Sequence, residues 1–230
     1  MNILEAYQDI RVSDVCDAMD MVGYMDRGLL SPDIRPLYRD IDTFSHVIAG
    51  PAMTARYVPT NQPLPNVPPE KFQEYISWWR KEISPSFYKS ITKGCVIVID
   101  ATEQDVGFIG SGNCLHWLSC GAVGVVTNGG ARDTDELIKQ KCAVYSKFIS
   151  RSFKPCRLEL ESVQQPINCG GVKVNPGDMV VADGDGVICV PQEIAEDVAT
   201  LARREREEDM KSRKDLYEKL GMEQDDTLNS

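Results

Sequence analysis

The sequence is poor in imidazole, with only His46 and His116 in 230 residues. It also has no C-x-x-C pair among its cysteines at positions 16, 95, 114, 120, 142, 156, 169 and 189, so a zinc cluster of the usual ligand spacing is excluded. Most of these cysteines lie in apolar, strand-like stretches, where a reduced thiol acts as a small hydrophobe, and they are expected to be reduced and structural. No apolar run approaches the ~20 residues of a membrane helix. Basic charge is short too: 25 Lys and Arg against 35 Asp and Glu give a formal net charge of -10, a field that repels polyanions and disfavours nucleic-acid binding. The start, Met-Asn-Ile-Leu-Glu, lacks the basic and apolar regions of a signal peptide, so a cytoplasmic protein is expected.

What is present is the composition of an ordinary folded domain, 42% hydrophobic and 26% charged. The spacing predicts helical structure over residues 3–25, with Ser13 capping a second segment that carries Val15, Met19 and Val22 on one face. Residues 50–58 read as a strand, and prolines 59, 63, 65, 68 and 69 place a loop after it. Phe72, Tyr75, Ile76, Trp79 and Ile83 fall on one helical stripe that packs in the core. Residues 95–99 read as a buried central strand, 113–120 as a short helix, and 121–127 as a second strand entering a polar loop at 128–133. Asp133 or Thr134 is placed to cap a helix over 134–140. Residues 172–174, 179–182 and 187–190 read as strands, with Asp183-Gly-Asp-Gly186 a hairpin turn rather than a metal loop. A long helix is predicted over 192–220, and 13 of the 17 residues from Arg203 to Lys219 are charged. That run is a solvated face or an arm on a neighbouring subunit, which divides the chain into a domain at 1–202 and an arm at 203–230.

Chemistry concentrates in two backbone-rich stretches, Gly107-Phe-Ile-Gly-Ser-Gly-Asn113 and Thr127-Asn-Gly-Gly-Ala-Arg-Asp133. Glycines 110 and 112 let backbone N–H groups approach an anion at a helix start. The Lys-Ser/Thr of a P-loop is missing, as is a nucleotide loop followed by an acidic ribose ligand, which sets aside a methyltransferase reading. Arg132 suits bidentate contact with a carboxylate, and Asp133 suits a hard divalent cation. The same pair also suits a mutual ion pair or a helix cap. His116 lies close enough in sequence to reach a pocket there, although a structural or partner-facing role is the plainer reading. Trp78, Trp79, Arg80 and the proline-rich stretch before them are candidates for reading the rest of a substrate.

Taken in order, these motifs resemble the RraA-like family, which includes the regulator of ribonuclease activity and metal-dependent 4-hydroxy-4-methyl-2-oxoglutarate aldolases. The resemblance covers nearly the whole chain. It rests on Gly110 with Arg132-Asp133-x-x-Glu136, on Gly121-Ala-Val-Gly-Val-Val-Thr-Asn-Gly-Gly-Ala-Arg-Asp, and on Pro176-Gly-Asp-Met-Val-Val-Ala-Asp-Gly-Asp-Gly-Val. Val12-Ser-Asp-Val-Cys-Asp17 and Gly50-Pro-Ala-Met-Thr54 support it. The resemblance implies an α/β fold, a three-layer β-β-α sandwich of the swivelling type with N-terminal helices and a long C-terminal helix, assembled as trimers or hexamers with sites between protomers.

It also implies a lyase: cleavage of a C–C bond in a 4-hydroxy-2-oxo acid or oxaloacetate-type keto acid through a pyruvate enolate, with Mg²⁺ or Mn²⁺ on Asp133 and a metal-bound water or hydroxide as proton carrier, since neither histidine falls in the motif. Arg132 is implied to hold the substrate carboxylate, with Gly110, Ser111, Gly112 and Asn113 supplying further contacts. Glu207 or Glu208 of a neighbouring C-terminal helix is implied to approach the metal waters. One departure stands out: where the aldolases carry an acid after the first glycine, this chain has Ser111. The rival implication is a non-catalytic regulator of the ribonuclease-binding type.

Overall fold

The computed structural model describes residues 2–63 and 66–228, so Pro65 of the expected loop lies outside the described residues. In chain order the elements are α1 (Ile3–Ala6), α2 (Val12–Met21), β1 (Arg35–Pro36), β2 (Ile48–Pro59), α3 (Phe72–Glu82), β3 (Val96–Asp100), β4 (Gly107–Ile109), α4 (Ser111–Ser119) and β5 (Gly124–Ala131). They continue with α5 (Thr134–Lys139), β6 (Val144–Ile149), β7 (Leu158–Val163), β8 (Ile167–Cys169), β9 (Val172–Val174), β10 (Met179–Asp183), β11 (Gly186–Val190) and α6 (Ala195–Leu220).

The fold is mixed α/β. One sheet runs β1-β6-β5-β3-β2-β10-β11, with β4 added to β5 and β7 to β2. β2, β3, β5 and β6 are parallel neighbours, and β10 and β11 form an antiparallel hairpin on β2. The long β2 serves both halves, pairing β10 through residues 48–51 and β3 through residues 52–56. Leu29 bridges to Ile188 just ahead of β1, so the two ends of the sheet nearly meet.

Apolar side chains sort into three clusters. The interior holds Val96, Val98, Val126, Tyr145, Val180 and their neighbours. A second cluster packs α1, α2 and α6 against β10 and β11, and a third packs α4 and α5 against the other side of β3 and β5. The continuous run Val96–Ile99 is fully buried because both faces of its strand are covered. The stripe on α3 is also found, with Ile76 and Trp79 buried.

Several local expectations need correction. Ser13 does not cap α2 but lies inside it: Asp14 accepts the Arg11 N–H at 3.0 Å, and Asp183 accepts the Val12 N–H at 2.8 Å. Asp183 thus ties the β10–β11 turn to the start of α2, which accounts for its burial. The second parallel strand spans 124–131 rather than 121–127. Residues 128–130 remain strand because Asn128 is buried and bonded to Ala101 N–H (2.7 Å) and Asp100 Oδ1 (2.9 Å). At Gly129 a Cβ would stand 2.6 Å from the Ala101 Cβ, so only glycine passes there. α4 begins at Ser111, two residues earlier than expected, and α6 runs unbroken through residue 202. Past that point it still packs on its own chain: Arg203 Nη2 donates to the Glu5, Ala6 and Gln8 carbonyls, Arg11 pairs with Asp209 at 3.0 Å, and Met210 is buried.

Candidate active site

Three segments leave the C-terminal ends of adjacent parallel strands and meet in one cleft. Gly110 comes after β4, Arg132 and Asp133 after β5, and Phe153 and Lys154 after β6. Ligands of parallel α/β sheets gather at this end, where the chain turns from strand to helix and frees backbone N–H groups. Arg132 N–H donates to the Ile109 carbonyl at 2.8 Å, locking the first two segments together. The cleft has a volume of ≈ 370 Å³, and α3 with the segment after it closes its far side.

Asp133 occupies the N-cap position of α5 in the left-handed region, φ 56°, and its side chain makes no capping hydrogen bond. A non-glycine residue there is strained, and instead of capping α5 the carboxylate meets Arg132 and Gly110. Oδ1 accepts from Arg132 Nε at 3.2 Å. Oδ2 faces Gly110, where a Cβ would come within 2.5 Å of it. Arg132 also reaches the Ser152 carbonyl through Nη1 at 3.4 Å, and its guanidinium lies 5.8 Å from the Phe153 ring centroid.

Arg80 of α3 stands at 5.8 Å from the same ring. Lys154 Nζ lies 4.6 Å from the Tyr57 ring centroid and 3.3 Å from Ser84 Oγ. Burial, reinforced by the nearby Arg80 charge, brings the Lys154 ammonium down to about 8. Burial pushes the Tyr57 phenol in the opposite direction, above its ordinary range. Phe87 and Trp117 stack at 5.2 Å and form part of the apolar floor.

Of the residues singled out in the sequence, Gly110, Gly112, Asn113, Arg132, Asp133 and His116 line this cleft. Ser111 opens α4 and does not line it. Asn113 turns its amide donor back to the Phe108 carbonyl at 3.0 Å. Glu207 and Glu208 are exposed on α6, which packs on α1 and α2, and neither lines the cleft of its own chain. Of the three residues Trp78, Trp79 and Arg80, only Arg80 lines it; Trp79 is core and Trp78 stacks on Tyr75 at 5.4 Å. Lys154, Phe153 and Tyr57 escaped the sequence reading because β6, whose end presents the first two, carries no clear alternation to mark it.

Among the described residues no three His, Cys, Asp or Glu side chains converge on a point, so an all-protein metal cage is absent. A Mg²⁺-type ion needs less: one or two carboxylates, with water and substrate completing its shell. Asp133 fits that role, with Oδ2 facing space that only a glycine at 110 leaves free.

A family model described as RraA-like, Aldolase/RraA, matches residues 12–189. The chain belongs to the RraA-like family. This RraA-like chain is 27% identical over 221 residues to protein DlpA of Legionella pneumophila, a match covering 92% of the chain and 31% of DlpA. The chain therefore spans about a third of that relative's length. It is 26% identical over 158 residues to a Halalkalibacterium halodurans protein named as a putative 4-hydroxy-4-methyl-2-oxoglutarate aldolase, covering 68% of the chain and 74% of that protein. An uncharacterized Pseudomonas syringae protein has a similar solved structure, with TM-score 0.74, 25% identity, and coverage of 96% of this chain and 94% of that one. No described helix of the RraA-like chain is long and apolar enough to cross a membrane.

Proposed function

We propose that this chain is a divalent-cation-dependent lyase that cleaves a C–C bond of a 4-hydroxy-2-oxo acid or oxaloacetate-type keto acid to release pyruvate. The observation that carries this reading is electrostatic. In a chain of net charge -10, one cleft gathers Arg80, Arg132 and Lys154 against a single carboxylate, Asp133. Such a cleft selects a small anion, and the family membership supports a keto acid.

Arg132 grips the C1 carboxylate, its planar fork matching the two oxygens. Backbone N–H groups of the first turn of α4 add positive potential beside it. Asp133 would hold Mg²⁺ or Mn²⁺, which when bound supplies a Lewis acid beside the keto oxygen. Arg80 and Lys154 serve a second anionic group on the substrate's other half, and the aromatic floor excludes water beneath it. In the retro-aldol direction the C4 hydroxyl gives up its proton, the C3–C4 bond breaks, and its electron pair delocalises onto the C2 carbonyl. In the decarboxylating direction CO₂ leaves instead and the same enolate forms. Either way C3 then takes a proton.

The same reading makes the protein a homotrimer or homohexamer in which Glu207 or Glu208 of one subunit completes a neighbour's cleft. Both are exposed, as are Leu216 and Leu220 one turn apart further along α6, which leaves this end of the helix open to a neighbouring subunit.

A screen of 4-hydroxy-2-oxo acids and β-keto acids with Mn²⁺, read as pyruvate released, tests the proposal. Turnover abolished by EDTA supports it. A pure, folded protein that releases no pyruvate from any of them sinks it and favours the ribonuclease-regulator reading.

A further inference from the structure

Resting on the lyase reading above, we propose that His116 is the cleft's proton carrier, a general acid and base for the reacting keto acid. The enolate chemistry needs a group that gives and takes a proton near neutral pH, and imidazole is the side chain whose ordinary range meets that need.

The titratable groups facing the cleft are Tyr57, Arg80, His116, Arg132, Asp133 and Lys154, with Tyr88 against the His116 ring from outside. Asp133 is paired with Arg132, and the guanidiniums do not exchange protons in this range. The Tyr57 phenol is held protonated by its burial, and the Lys154 ammonium is engaged on Ser84 Oγ at 3.3 Å and over the Tyr57 ring at 4.6 Å. His46, the other imidazole, is buried away from the cleft with Nδ1 accepting the Asp40 N–H at 3.2 Å. That leaves His116.

Its placement suits the task. On α4, residues 112, 113, 116 and 117 form one stripe at helical spacing, and all four line the cleft. The His116 ring is held edge-on by Tyr88, with centroids 5.2 Å apart and planes at 73°. Among the described residues no side-chain hydrogen bond engages either ring nitrogen. His116 is also exposed at the cleft mouth, so it can return its proton to bulk water after each cycle.

The step balances in both directions. As a base His116 takes the C4 hydroxyl proton while the C3–C4 bond breaks and its electron pair enters the enolate. As the resulting imidazolium it gives that proton to C3, forming pyruvate. In decarboxylation only the second half is needed, with the proton drawn from water through the ring.

Deuterium exchange into the pyruvate methyl group, monitored by ¹H NMR with Mn²⁺ removed before each spectrum, reads the C3 step alone. His116→Ala is expected to slow it by about 10²-fold, to abolish the neutral limb of its pH profile, and to be partly rescued by added imidazole, which the open mouth admits. A rate and pH profile unchanged from wild type overturn the assignment of His116. A wild-type protein that exchanges no protons removes the lyase reading and this proposal with it. A second readout needs no turnover: in cation-free protein the His116 ring-proton titration should move to higher pH when oxalate is added, because a bound anion favours imidazolium. No movement, with oxalate binding shown by calorimetry, places His116 outside the site.

Discussion

Gly110 and Asp133, 23 positions apart, are in effect one feature: a Cβ at 110 would lie 2.5 Å from Asp133 Oδ2. The glycine is required by the carboxylate's position rather than by its own backbone. Gly110→Ala is therefore expected to displace the Asp133 carboxylate and to cost most of the turnover, while thermal melting shows the fold intact. Gly112 is the steric comparison for stability, because a Cβ there meets no atom within 4 Å. Gly112→Ala should leave stability equal or higher by up to about 1 kcal/mol, since alanine suits a helix better than glycine. Wild-type activity in Gly110→Ala would mean that Asp133 Oδ2 is not used.

Arg132→Lys keeps the charge but loses the two-donor plane, and it also loses the guanidinium that lies 5.8 Å from the Phe153 ring centroid. Steady-state kinetics should show a raised KM for the keto acid and a lower kcat, because a misplacement of ~1 Å can cost about 10²-fold. Wild-type kinetics would turn Arg132 out of the carboxylate site.

Lys154 gives the account a pH signature. Its folded-state value is lowered to about 8 from the ordinary 10.5, so the folded protein holds fewer protons than the unfolded chain between those values. Stability contributed by this site is accordingly lowest below pH 8 and recovers as the pH rises toward 10.5. Binding of a doubly charged keto acid should run the other way, weakening as the pH passes about 8 and the ammonium is lost. In Lys154→Met both trends should vanish from denaturation and calorimetric titrations. Their persistence would assign them to another group.

Much of this was legible in the sequence, and the reasons for success and failure are physical. The central run at 96–99 announces itself because a strand covered on both faces must be apolar throughout. The Arg132-Asp133 pair stands out because two opposite charges end a glycine-rich strand. The extent of β5 was hidden because Asn128-Gly-Gly looks like a turn until Ala101 and Asp100 are seen to need Asn128. The packing of α6 was hidden for a similar reason: its contacts past residue 202 are made by Arg203, Asp209 and Met210, mostly polar groups that an apolar-stripe reading ignores.

Because α6 packs on its own chain, truncating it would confound folding with catalysis, so sharing of the site between subunits is better tested by substitution. Mixing Asp133→Ala subunits with a Glu207→Ala, Glu208→Ala double variant should restore part of the activity, since some mixed interfaces recombine an intact Asp133 with intact glutamates. No recovery, with subunit exchange shown by mass spectrometry, would confine each site to one chain and remove these glutamates from it.

The central claim is that the cleft around Asp133 breaks C–C bonds of keto acids. Its most direct test is pyruvate release from oxaloacetate by wild type and Asp133→Ala, purified alike and matched by circular dichroism, with Mn²⁺ and with EDTA. The account predicts release by the wild type above the cation-only background, lost with EDTA, and no release above background by Asp133→Ala in either condition. Equal release by the two proteins would contradict it.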